Sequence, residues 1–163
     1  MEIGIALDGE GRLGQPAAVV SVARAADRLG YGSVWCIGPW AAGLVGAVAA
    51  VTTRVRIGIE VADPAGDEAL AVARAAAGTR LVAVDRLPRW PPGSTVDPSV
   101  PTPYRVDVGP GGLDGAIGLL EEAASAGVPE IVVRLVDGSE LDAALAAYAV
   151  LGELVDGPAP ALG

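Results

Sequence analysis

The sequence predicts an α/β fold built from about six parallel βα units. Short apolar runs that read as strands alternate with helix-spaced apolar patterns from one end of the chain to the other. The run GSVWCIG (Gly32–Gly38) is apolar on both faces, as a strand covered by helices is. Three helical patterns close on Gly30, Gly78 and Gly127, the residue type that ends helices in the left-handed conformation.

The elements follow in order. EIGIAL (Glu2–Leu7) reads as the first strand. After the turn DGEGRLGQ, Pro16 suits a first helical turn. Val19, Val22, Ala23, Ala26 and Leu29 then keep helical spacing, with Ser21, Arg24 and Arg28 opposite. Gly32–Gly38 is the second strand and Ala41–Val51 an Ala-rich helix. RVRIGIEV (Arg54–Val61) is the third strand, Asp67–Ala77 a helix, and RLVAVD (Arg80–Asp85) the fourth strand. The rhythm then breaks. Arg86–Pro103 carries six prolines and no periodicity, the mark of a functional loop or a linker. It resumes with strand YRVDV (Tyr104–Val108), the turn GPGG, helix Leu113–Ala126 and strand EIVVRLV (Glu130–Val136). Ser139 with Asp142 three residues on resembles a capping box, opening a helix with Leu141, Ala144, Leu145 and Tyr148 on one face. A standard eight-unit barrel takes about 250 residues, so the expected architecture is a shortened TIM-like (β/α) barrel.

The 163 residues suit one domain, expected over residues 1–157, with 158–163 as a frayed tail. Hydrophobic residues make up 52% and mean hydropathy is +0.47, but Ala and Val supply most of it and charges interrupt every apolar run. No stretch of about 18 uninterrupted apolar residues exists, so no membrane partner is expected. MEIGIALDGE has an acid at its second position and no basic segment, which predicts a cytoplasmic chain without a signal peptide. A net charge of −9 argues against nucleic acid, whose phosphates demand a basic surface. All 11 basic residues are Arg. The lack of Lys excludes Schiff-base and P-loop chemistry. The lack of His excludes Ser–His and Cys–His nucleophiles and histidine-ligated metals. One Cys forms no internal disulfide or thiolate cluster, and no metal site is expected. Without Phe, a core of Val, Leu, Ile and Ala buries less area per residue. Stability is therefore expected to lean on association, as a homodimer or with a partner protein.

Three segments resemble the luciferase-like superfamily, the group of bacterial luciferase and the F420-dependent oxidoreductases. ARAADRLGYGSVW (Ala23–Trp35) is similar to that family's first helix and second strand. AAVTTRVRIGIEV (Ala49–Val61) is similar to its second helix end and third strand. GGLDGAIGLLEEAASAGVPEIVVRL (Gly111–Leu135) is similar to its seventh helix and eighth strand. The resemblance implies an internally shortened relative, with the proline-rich stretch where the fifth and sixth units would stand. Gly38-Pro39-Trp40 replaces the histidine common after the second strand, and the motif before strand four is reduced to Gly78-Thr79-Arg80. It further implies a flavin- or F420-dependent oxidoreductase or monooxygenase with FMN or F420 as cofactor, the protein supplying binding and orientation. The alternative is a non-catalytic binding or partner-stabilising subunit that uses no cofactor.

Function in such barrels collects at the C-terminal strand ends, which here offer Asp8, Cys36, Trp40, Glu60, Asp85, Arg86, Asp107 and Asp137. Arg86, Arg89 and Trp90 form the strongest candidate for a small-molecule ligand. Arg holds a carboxylate or phosphate bidentately, and Trp stacks on a flat ring. Equally, Trp90 plugs the gap left by the missing units, or meets a second subunit together with Leu87 and Val96. Gly109, Gly111 and Gly112 in VGPGGLDG either cradle a cofactor phosphate with their N–H groups or form a plain turn. In the second case Asp114 complements the helix dipole. Cys36, among apolar neighbours, reads as an inert core thiol, and Trp35 and Trp40 read as packing residues.

Overall fold

The computed structural model describes residues 1–9, 13–61, 68–90, 102–109, 112–135 and 141–155. Among them lie six strands: β1 (Glu2–Leu7), β2 (Ser33–Cys36), β3 (Arg56–Glu60), β4 (Leu81–Val84), β5 (Tyr104–Val108) and β6 (Glu130–Leu135). Five α-helices accompany them: α1 (Pro16–Leu29), α2 (Ala41–Val51), α3 (Glu68–Ala77), α4 (Leu113–Ser125) and α5 (Leu141–Val155). All strands join one parallel sheet in the order β4-β3-β2-β1-β6-β5. This is chain order around a ring, cut between β4 and β5 where the proline-rich stretch falls.

Strand alternation divides the sheet into two faces. Ile3, Ile5, Leu7, Val34, Cys36, Ile57, Ile59, Ile131 and Val133 face one way and bury against all five helices. Stepping always in one direction, right-handed βα crossovers place every helix on that side. Among the described residues the other face carries no helix, yet Ala6, Trp35, Ile37 and Val132 form a second buried cluster there with Leu87 from the segment after β4. The strands and that segment are therefore their own cover. This face is layered. Ser33, Arg56 and Glu130 lie at the N-terminal strand ends, the Trp35 cluster in the middle, and Asp8, Glu60, Asp107 and Arg134 towards the C-terminal ends.

The segment that follows β4 reaches the edge of β5. Arg89 forms an isolated parallel bridge to Arg105 of β5. Trp90 N–H donates to Arg105 C=O at 2.8 Å, and Arg105 N–H donates to Pro88 C=O at 2.7 Å. The outer edge of β5, which would otherwise stand unpaired, is thus engaged by a segment of the same chain. Leu87 and Trp90, expected at a subunit contact, are both buried within the single chain. Val96 lies outside the described residues.

Element limits differ from the sequence expectation at both ends of the strands, β2, β3 and β4 being shorter than expected and β6 ending at Leu135. Arg80 is not the first residue of β4 but ends a 3₁₀ turn over Gly78–Arg80, opened by Gly78 at φ 59°. Its guanidinium donates to Thr52 Oγ1 at 3.0 Å and to the Ala49 carbonyl at 3.2 Å, satisfying groups at the end of α2. The reduced Gly-Thr-Arg motif thus holds a helix end. Ser139 of the expected capping box lies outside the described residues.

Asp27, in the last turn of α1, organises the entry to β3. Its Oδ1 accepts the N–H groups of Arg54 at 2.8 Å and Val55 at 3.1 Å, and Thr53 N–H donates at 3.3 Å. Burial pushes its pKa up, but these backbone donors outweigh burial and hold the carboxyl below its ordinary 3.8. A depressed folded-state pKa contributes stability in full above the unfolded value, which is lost as pH falls through the folded value. Asp27→Asn should therefore lower the melting temperature at pH 7. The gap from wild type should narrow as pH drops below 3.8 in thermal scans across pH.

Candidate functional site

Alternation along β5 puts Arg105 and Asp107 on the helix-free face, while Tyr104, Val106 and Val108 pack towards the helices. Asp107 then becomes the centre of a charge chain across three strands. Arg89 Nη2 lies 3.0 Å from Asp107 Oδ2, and Arg105 Nε lies 3.1 Å from Oδ1. The Arg105 contact is an ion pair by distance that lacks the alignment of a hydrogen bond. Arg134 Nη1 approaches Asp107 at 3.9 Å, while its Nε and Nη2 donate to Asp8 Oδ2 at 3.0 and 2.6 Å. Glu60 serves the backbone, accepting Leu87 N–H at 3.3 Å.

This chain ends in a cavity of about 450 Å³ lined by Arg86, Leu87, Pro88, Arg89 and Arg105. Four of these residues come from the segment after β4 and one from β5, so the cavity straddles the seam between the edge strands. Arg89 is 72% exposed and Arg105 only 15% exposed as side chains. Arg86 is exposed, and among the described residues it makes no ion pair. Three arginines, two of them paired with the carboxylate of Asp107, thus line one cavity. Arg delivers paired, planar N–H donors that match carboxylate and phosphate oxygens.

Of the residues expected at a ligand site, the structure brings together Arg86 and Arg89 and adds Arg105, which sequence reasoning did not single out. Trp90 goes elsewhere. It packs in the helix-side core, edge-on to Tyr104 with ring centroids 5.5 Å apart at 79°. Its indole N–H is buried without a hydrogen-bond partner among the described residues. Gly109 and Gly112 form a tight turn, Gly112 N–H donating to Gly109 C=O at 3.0 Å, ahead of α4. Neither lines the arginine cavity, and Gly111 lies outside the described residues.

No family model, curated protein or solved structure matches this chain. The chemistry of the site is therefore argued from its own residues. Cys36 is fully buried and burial pushes its thiol up to about 12, which leaves no thiolate near neutral pH. Asp8 and Asp107 are each engaged by Arg134. Trp35 is locked inside the second cluster, whereas Trp40 stays 66% exposed beside an apolar cleft between α1 and α2. Among the described residues no group of three or more acidic or Cys side chains could hold a metal ion. Nor is any helix long and apolar enough to cross a membrane.

The residues also test the fit of FMN or F420. The arginine cavity suits the phosphate end of either molecule. The ring end fits poorly: Trp90 faces the helix layer, and Trp35, Ile37, Leu87 and Val132 fill the middle of the helix-free face. On that face these buried side chains fill the space beside Leu87 that a flavin or deazaflavin ring would take.

Proposed function

We propose that this chain is a shortened luciferase-like β/α protein that binds a small phosphate- or carboxylate-bearing molecule in the cavity of Arg86, Arg89 and Arg105. Binding, rather than catalysis, is its role in this reading. The observation that carries it is the meeting of three arginines at one cavity in a chain of net charge −9. Against that acidic background, a local surplus of guanidinium is a feature of the site and not of the surface at large. The filled helix-free face and the inert Cys36 favour binding over an oxidoreductase step. The homodimer expected from an open sheet edge loses part of its motive, because Pro88–Trp90 already pairs with β5.

Calorimetric titration with inorganic phosphate, FMN and F420, each followed by absorbance, tests the assignment. Phosphate alone should bind with Kd of about 1 mM, equivalent to about −4 kcal/mol, and should compete with FMN. A flavin that binds tightly and resists displacement by phosphate would overturn the binding-only reading in favour of the oxidoreductase.

A further inference from the structure

We propose that the ligand is a dianion of the phosphate-monoester kind and that it acts as a clasp across the seam between the two edge strands. This rests on the anion-site reading above and extends it. The charge count selects the ligand. Arg86, Arg89 and Arg105 line the cavity, and Asp107 is the one carboxylate paired with two of them, which leaves a surplus of two positive charges. Asp107 does not itself line the cavity but is ion-paired with two of its arginines, whereas Glu60, which accepts the Leu87 N–H at 3.3 Å, and Asp85 form no ion pair with them among the described residues. A dianion cancels the surplus, whereas a monocarboxylate leaves one charge uncompensated in a partly desolvated site.

The position of the arginines supplies the clasp. Arg86 and Arg89 belong to the segment that continues β4, and Arg105 belongs to β5. Among the described residues, two backbone hydrogen bonds join that segment to β5, Trp90 N–H to Arg105 C=O and Arg105 N–H to Pro88 C=O. An anion held by guanidinium groups from both sides exists only while the seam is closed. Its binding energy therefore adds to the free energy of seam opening.

Amide hydrogen exchange in the intact chain reads this directly, because both seam N–H groups exchange when the seam opens. With inorganic phosphate at about ten times its calorimetric Kd, exchange at Trp90 and Arg105 should slow about tenfold. Acetate at the same ionic strength should slow it less than about twofold, scaled to its weaker occupancy. The Gly32 amide, which precedes β2 and bonds to Ile3 C=O, reports the general stabilisation that excluded salts give and should change little. Arg86→Ala, an exposed site that leaves the fold intact, should abolish the seam protection. Phosphate binding without protection at Trp90 and Arg105 would overturn the clasp and leave the anion site standing. Absence of phosphate binding would overturn both.

Discussion

Replacing Gly58 with alanine is expected to destabilise the protein by about 3 kcal/mol, at the upper end of core overpacking. Gly58 is the β3 residue paired in register with Trp35 of β2, and both face the helix-free side. The Trp35 indole lies flat over the glycine, so an added methyl group would fall on its Cδ2 and Cε3 atoms. The ring cannot step aside. It is 2% exposed, and its Nε1–H is held by Ser33 Oγ and Glu130 Oε1, each at 3.0 Å. Urea unfolding should show the loss as a lower midpoint at unchanged slope. The pair Gly58→Ala with Trp35→Leu should show strong coupling, because the smaller side chain removes the clash that makes the alanine costly. Additive effects would mean that the contact is not the cause.

Glu130→Ala should have an effect of similar size, about 3 kcal/mol, through lost charge-assisted hydrogen bonds. Glu130 is buried at the N-terminal end of β6. Its Oε1 accepts Ser33 Oγ–H at 2.5 Å as well as the Trp35 indole, and its Oε2 meets Arg56 Nη2 at 3.0 Å. Arg56 also pairs with Glu2 at the surface. Removing the carboxylate orphans the buried Ser33 hydroxyl and loosens the Trp35 ring, while Arg56, 45% exposed as a side chain, turns to water. Glu130→Gln keeps the shape and an acceptor, so it should cost about half as much. Chemical denaturation of the two variants separates these cases. A loss below about 0.5 kcal/mol for the alanine variant, the level of an ordinary surface change, would show that the network contributes nothing.

The two cases also mark where sequence reading succeeds and where it stops. Periodicity is local, so β1, α2 and β5 are legible to the residue, and α1 is bounded by Pro16 and Gly30 as expected. The parallel arrangement follows from the same rhythm. The Ser33–Glu130–Arg56 group is not legible, because it joins residues on β2, β6 and β3 through a register that only the assembled sheet defines. Arg86 and Arg89 stand out as neighbouring arginines beside a broken pattern. Arg105 joins them only through the bridge across the seam, where residues 16 positions apart come into register. Trp90 was expected beside those arginines because of its proximity in sequence. In the assembled fold Leu87 turns to the helix-free face and Trp90 to the helix layer, so the two apolar residues separate.

The central claim is that the seam arginines form an anion site, and calorimetric titration of inorganic phosphate into wild type and the Arg86→Ala, Arg89→Ala double variant tests it most directly. Arg86 makes no ion pair among the described residues and Arg105 still faces Asp107 when Arg89 is lost, so the double variant should keep its fold with a lower melting temperature. Each substitution removes a charge-assisted contact of about 1.5 kcal/mol or more, which together predicts at least about a hundredfold weaker phosphate binding. Phosphate affinity equal in the two proteins would contradict the site.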